Sequence, residues 1–289
     1  MTTMANASPG KFTLLEQQLA LLLSSLQRES KALGMGLVLL VIYALLGGLG
    51  REPLTAEPNI LLFALPIAAF LPIAVWRGEQ PFEQSALWAL PVRRQDNALA
   101  RGAAGAIWLL GAMLIMLAVL ALIAWGSGGG IGVSELRLVS PNGEIANPVY
   151  QHWVTPAWEY AVPFTAALIV YTAASAALLG LRHPLRWIFG TTVVVAILLA
   201  LALQNLPGTP LTSMLEIIRY NLWLGDYGLD HALSGGMTGL RHDHLTPDRQ
   251  TQVIWSSLPT ITAWLRSTLI WMTVSVLLMA LALWRHAET

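Results

Sequence analysis

The sequence predicts an all-α polytopic membrane protein with six transmembrane helices, an N-terminal amphipathic interfacial helix and extended extracytoplasmic segments. Hydrophobic residues make up 55% of its 289 residues and charged residues only 11%, where soluble domains carry about 25% charged residues. Several apolar stretches reach the roughly 20 residues that cross a bilayer, and backbone groups in lipid must be satisfied within the segment, so the stretches are helices. The predicted spans are residues 32–50, 60–76, 102–125, 160–181, 187–206 and 265–284.

The N-terminal region, residues 1–31, comprises a tail and one amphipathic helix. Thr13 and Glu16 fit a capping box that starts a helix. Leucines then share one face between residues 15 and 26, which predicts a helix lying in the headgroup plane before the first span. The alternative, a secretory signal, is disfavoured because Glu16, Gln17 and Gln18 interrupt its would-be apolar core.

Positive charge predicts the orientation of the six-span domain, residues 32–284, and of the tail, residues 285–289. Ten of the 16 Lys and Arg residues lie in segments that share a side with the N-terminus, and six lie in the longer opposite segments. The bias predicts a bacterial cytoplasmic (inner) membrane protein with both termini cytoplasmic. Residues 77–101 then form a cytoplasmic loop, and residues 126–159 and 207–264 are extracytoplasmic.

The two extracytoplasmic segments contain different predicted elements. Residues 133–139 look strand-like and precede turn signals at 141–143. The second segment opens with an amphipathic stretch, residues 211–224, and continues into a Gly-rich, His-containing middle. Thr246 as N-cap and Pro247 at the first helical position then predict a helix that runs to Leu258.

The predicted spans have no ionisable side chain in their interiors, since Glu159 and Arg266 sit at span ends. Buried ionisable groups usually mark ion paths, so their absence argues against a proton- or sodium-coupled carrier and against an intramembrane metalloprotease. The chain has no phosphate-binding loop with its lysine, so it is not expected to hydrolyse ATP or act as an enzyme. Neutral net charge without a basic stripe gives no indication of nucleic-acid binding.

The cytoplasmic loop has helix-forming composition between Phe82 and Leu90. Its apolar residues include Leu87 and Trp88, and Pro91 ends the helix. A short amphipathic helix can insert its apolar side into a groove of a soluble partner, and Trp and Arg are frequent interface hot spots. An ordinary loop helix resting on the membrane surface fits the same pattern.

The chain resembles the permease subunits of type-two ATP-binding-cassette (ABC) exporters. These have an amphipathic N-terminal helix, six spans, both ends inside, and a loop after the second span that ends in a Leu-x-x-Pro-(Val/Leu)-Ser-Arg-like turn. The matching residues here are Leu87, Leu90, Pro91, Val92 and Arg94, with Arg93 where Ser is common. The family's acidic run before the helix is displaced, because Arg77-Gly78-Glu79 lies further upstream and Glu83 takes the acidic place.

The resemblance implies a transmembrane permease driven by a separate ATPase chain, which holds the ATP and Mg, with no cofactor or metal in this chain. It implies a second permease copy, identical or different, with lipid around the pair and an extracytoplasmic accessory protein as a further candidate partner. The residues implied at the ATPase contact are Phe82, Glu83, Leu87, Trp88, Leu90, Pro91, Arg93 and Arg94, with Arg182 and Arg186 as a second contact. The cargo stays open.

Two other functions fit the same sequence. The first is a non-transporting membrane anchor or sensor subunit, in a complex with an extracytoplasmic partner. The second is an extracytoplasmic metal or enzyme site, because His231, His242 and His244 lie near Asp230 and Asp243 in one segment, and such residues ligate zinc or copper. Their spacing matches no known metal motif, which favours a solvated polar loop over a metal site.

Overall fold

A computed structural model describes four long helices of this chain and the segments at their ends. The described residues are 13–22, 54–76, 94–140, 149–181, 183–184, 186, 190, 193–194, 213–214, 217–218, 220–225, 227–245 and 251–288.

Four described helices are long and apolar enough to cross a membrane. They are Pro58–Val75, Gln95–Gly126, Ala157–Gly180 and Ile261–Arg285. They coincide with four of the predicted spans, which confirms a helical membrane protein. The predicted spans 32–50 and 187–206 lie outside the described residues, apart from residues 190, 193 and 194, which are helical.

The elements follow one another in a simple order. Residues 13–22 form helix α1, as predicted. A 3-10 turn, Pro58–Phe63, leads into α2, Ala64–Val75. Helix α3 is Arg94–Gly126, and a second 3-10 turn, Ala157–Ala161, opens α4, Val162–Gly180. After a π-helical turn, Tyr220–Leu224, come α5, Leu229–Ser234, α6, Met237–Leu240, and α7, Ile261–Glu288.

The core of the bundle lies around α4, which packs against α2, α3 and α7. Its buried residues include Ala167, Tyr171 and Leu179. Small residues let the helix backbones approach, because helices in lipid associate by close packing rather than by exclusion of water. At one such contact, a Cβ placed on Gly180 would lie 3.4 Å from the Cβ of Ala282 on α7.

The prediction of an all-α fold is wrong for the segments at one end of the bundle, which form a four-stranded sheet. Its strands are β1, Ser134–Val139, β2, Val149–Val154, β3, Arg241–Leu245, and β4, Thr251–Trp255, in the order β2-β1-β4-β3. Strand β1 is antiparallel to β2 and parallel to β4. Both segments therefore contribute to one sheet. We call this end of the bundle the sheet end, and the opposite end, near residues 76 and 94, the loop end.

The strand predicted at residues 133–139 is confirmed as β1, whereas the helix predicted from Thr246 to Leu258 is wrong. Residues 251–255 of that range form β4, and residues 246–250 lie outside the described residues. Thr, Val, Ile and Trp in β4 favour a pleated, half-buried strand, and pairing on both sides outweighs the local helix-start signal. Ile254 is fully buried in the resulting sheet.

Gly105 is the tightest helix contact near the loop end. A Cβ placed on Gly105 of α3 would collide with the hydroxyl of Tyr171 and lie 2.9 Å from Cγ2 of Val75. We therefore expect Gly105→Ala to lower the free energy of unfolding by about 1–3 kcal/mol, the usual cost of overpacking. Thermal unfolding of the purified protein in detergent measures it.

Gly111→Ala is the matched control, because it lies on the same helix with nothing within 4 Å of the added Cβ. This control should leave stability unchanged or raise it slightly, since Ala favours helix over Gly by about 1 kcal/mol. Equal thermal unfolding midpoints for Gly105→Ala and Gly111→Ala would contradict the close approach of α2, α3 and α4.

Candidate functional site

The predicted coupling segment lies between the end of α2 and the start of α3. Most of the residues predicted there lie outside the described residues: Phe82, Glu83, Leu87, Trp88, Leu90, Pro91 and Arg93. Arg182 of the predicted second contact also lies outside them. Arg94 begins α3, and Arg186 is helical and exposed. The structure therefore describes the two ends of the loop, and their geometry decides what a force on the loop would move.

A charged side chain joins the end of α2 to α3, about two turns beyond the start of α3. Nε of Arg101 on α3 donates a hydrogen bond of 2.5 Å to the carbonyl oxygen of Val75, the last residue of α2. Next to it, the buried ring of Trp76 packs against Gly102. A hydrogen bond from a charged donor is about twice as strong as a neutral one. The end of α2 is thus bonded to α3 at Arg101.

Helix α1 is attached to the same clamp. Nε2 of Gln18 donates to Oδ1 of Asn97 over 2.8 Å, and Asn97 is buried in the first turns of α3. Further along α3, Nε1 of Trp108 donates to the carbonyl oxygen of Leu19 over 3.4 Å. Helix α1 is therefore bonded to α3 at two points.

Helix α4 completes the connection. The hydroxyl of Tyr171 donates to the carbonyl oxygen of Gly102 over 2.9 Å, one residue beyond Arg101. Since α4 also packs along α7, direct contacts connect all four described spans. We call the set Gln18, Val75, Asn97, Arg101 and Tyr171 the loop-base cluster.

At the sheet end, Arg137 fastens β1 to both neighbouring strands. Its guanidinium carbon lies 4.7 Å from the ring centroid of Trp153 on β2 and 4.2 Å from that of Trp255 on β4. Its Nε donates to Oε1 of Glu135 over 2.7 Å. Desolvated cation–π contacts of this kind contribute about 2 kcal/mol each, so Arg137 links segments that are distant in the chain.

Residues 227–240 form a wedge between α4 and α7. The hydroxyl of Ser267 on α7 donates to the carbonyl oxygen of Gly228 over 2.6 Å, and Nε1 of Trp271 donates to that of Tyr227 over 3.0 Å. Beside the wedge, Trp158 stacks on Trp264 with centroids 5.5 Å apart. The outer ends of α4 and α7 are thereby joined to the sheet segment.

Glu159 is buried where the wedge meets the start of α4. Its Oε1 has no hydrogen-bond partner among the described residues, and the side chain lines a cavity of about 10 Å³ together with Asn59 and Ser234. That volume holds about one water molecule, far less than the roughly 300–1,000 Å³ of a ligand pocket. The cavity is therefore too small to be a cargo site.

The histidine-rich segment does not gather into a metal site in the part of the chain that the structure describes. Asp230 and His231 are buried in α5, whereas His242 and Asp243 are exposed on β3. The side chain of His244 lies outside the described part. No group of three or more His, Cys, Asp or Glu positioned to hold a metal ion occurs among the described residues.

The loop-base cluster was not singled out from the sequence, although one signal was present. Gln18 lies between Leu14 and Leu22 at four-residue spacing, so it shares their face of α1. Leu14 and Leu22 are both buried. A polar residue on a buried helix face needs a partner, and that partner is Asn97.

Comparison with known proteins gives no family for this chain. No family model, curated protein or solved structure matches it.

The clamp between α2 and α3 can be tested by removing its donor. Arg101→Met keeps much of the aliphatic length but leaves the Val75 carbonyl without its charged donor. We expect the free energy of unfolding to fall by about 1.5–3 kcal/mol, the usual contribution of a hydrogen bond to a charged group. Denaturant unfolding in detergent measures the change.

Arg186→Met is the control, because that arginine is exposed. It should change stability by less than about 0.5 kcal/mol. A loss in Arg186→Met as large as that in Arg101→Met would show that the effect reflects lost charge rather than the clamp.

Proposed function

We propose that this chain is the transmembrane permease subunit of an ATP-driven ABC exporter, which moves substrate across the cytoplasmic membrane by alternating access driven by a separate ATPase subunit. The observation that carries the proposal is the loop-base cluster. It joins the two helices that flank the loop whose Leu87, Leu90, Pro91, Val92 and Arg94 resemble the coupling turn of that family.

The cluster suits a lever driven from the cytoplasmic side. A partner that pulls on residues 77–93 acts on α2 and α3 together, because Arg101 of α3 is bonded to the end of α2. Tyr171 and Gln18 extend the connection to α4 and α1. Packed helical bundles switch between discrete arrangements rather than bending continuously, so a pull at this point favours rigid-body rocking of the spans.

The charge distribution supports an external energy source. In the four described spans, the acidic and basic residues are Asp96, Arg101, Glu159, Arg266 and Arg285, and all lie near a span end. An ion-coupled carrier needs such groups along its path. Work on this bundle is therefore expected to come from a partner bound at the loop end.

A second function, a membrane anchor or sensor subunit without transport, is favoured by one observation. The two outer segments fold together into one sheet, with β1 paired to both β2 and β4. Such a sheet is a rigid platform for an extracytoplasmic partner. The two functions differ in whether an ATPase binds at the loop end and whether its turnover responds to this chain.

Purification from native membranes in mild detergent, followed by identification of the bound proteins, tests the proposal first. We expect a stoichiometric soluble ATPase of about 25–35 kDa, the size of a compact one- to two-lobed domain. Recovery of the chain without any nucleotide-binding partner would contradict the exporter proposal and favour the anchor or sensor.

The coupling helix is tested by the double substitution Leu87→Ala and Trp88→Ala. Loss of two interface hot spots weakens binding by about 2 kcal/mol or more, which is about 30-fold. We expect substrate-stimulated ATP hydrolysis and transport in vesicles to be lost, with thermal stability of the permease unchanged.

The chain contains a matched control, because Leu222 and Trp223 form the same dipeptide in the π-helical turn that precedes the wedge. Both are exposed. Leu222→Ala with Trp223→Ala should retain transport. Transport that survives in the Leu87 and Trp88 variant would rule out this helix as the coupling element.

A further inference from the structure

The sheet has two outer edges, β2 and β3, and they differ in chemistry. Strand β3 carries an exposed ion pair, with Nε of Arg241 3.2 Å from Oδ1 of Asp243. Charged residues on an edge strand discourage pairing with another strand. Edge β3 therefore has a common protection against association.

Edge β2 lacks this protection. Its residues, Val149 to Val154, include no Asp, Glu, Lys, Arg or Pro. Val149, Tyr150 and Val154 are 57%, 66% and 58% exposed. Among the described residues, β1 is the only strand paired with β2. An exposed edge without charged residues is a template for pairing with another strand.

The register of the β1–β2 pair shows which backbone groups face the free edge. The amide nitrogen of Thr155 donates to the carbonyl oxygen of Val133 over 3.0 Å. Since hydrogen-bonded and non-bonded pairs alternate along an antiparallel ladder, Val149, Gln151 and Trp153 direct their backbone groups towards β1. Tyr150, His152 and Val154 therefore direct theirs outwards.

We infer that β2 pairs with β2 of a second copy of this chain, antiparallel about a two-fold axis through His152. In this register His152 faces His152 of the second copy, and Tyr150 faces Val154 of the second copy. Every outward backbone group finds a partner, which gives about six hydrogen bonds. The neighbouring register, centred on Gln151, leaves Val154 unpaired and gives about four.

Self-pairing fits the composition of β2 better than pairing with an unrelated strand. An isologous interface places the same patch against itself, so a charged residue on the two-fold axis would face its own like charge, which destabilises a strand pair. Edge β2 has none. The pairing extends the sheet from four strands to eight across the two copies, and it does not depend on an ATPase at the loop end.

Single-cysteine cross-linking tests the pairing, since the natural chain has no cysteine. His152→Cys places two thiols on a hydrogen-bonded pair with Cα atoms about 5.5 Å apart, within the range of a disulfide. We expect copper-phenanthroline oxidation of membranes to convert most of this variant to a covalent dimer.

The register is tested by two equally exposed positions. Tyr150→Cys alone and Val154→Cys alone should not cross-link, because each cysteine lies about 13 Å from the same position in the second copy of the chain. The double variant Tyr150→Cys with Val154→Cys should cross-link as well as His152→Cys. Asp243→Cys on edge β3 should not form a covalent dimer.

Adding charge on the axis gives an independent readout. In the Tyr150→Cys and Val154→Cys background, His152→Lys places two ammonium groups opposite each other and should reduce the cross-linked fraction about two- to five-fold. Absence of a dimer in His152→Cys, or equal cross-linking at Asp243→Cys, would overturn the proposal. Neither result would affect the test for a bound ATPase, so the two proposals fail separately.

Discussion

The close approach of α2, α3 and α4 near the loop end is the constraint on which the rest of the bundle depends. Lipid is as apolar as the helix surfaces, so burial of apolar side chains gives no net attraction between spans. Contact must come from small residues and from a few hydrogen bonds. Gly105 provides the space for the Tyr171 ring, and Tyr171 and Arg101 use that proximity to bond to the backbones of Gly102 and Val75.

The same arrangement separates two mechanical regions. At the loop end, side-chain hydrogen bonds join α1, α2 and α4 to α3. At the sheet end, the wedge is bonded to α7 through Ser267 and Trp271, and Arg137 joins the strands. The described bundle therefore has a separate set of contacts at each end, and the proposed exporter uses the loop-end set to move the spans as rigid bodies.

Much of the helical architecture could be predicted from the sequence, because a span is encoded locally by length and apolarity. Strand β4 could not, since Thr246 and Pro247 are a valid local helix start and the pairing that outweighs it comes from β1, far away in the chain. The loop-base cluster was missed for a similar reason. The sequence places Arg101 at the end of the predicted cytoplasmic loop, as an ordinary charged residue. Only the folded structure shows that Arg101 bonds to Val75 and so joins α3 to α2.

The parallel pairing of β1 with β4 has a consequence for the biogenesis of the protein. Strand β1 leaves the ribosome long before β4, and until then it has only the β1–β2 hairpin, which is marginal by itself. Long-range strand pairing is slow because the intervening chain must first be ordered. The sheet can close only after the segment that carries β3 and β4 has been synthesised, so its closure is a late step in the folding of the chain.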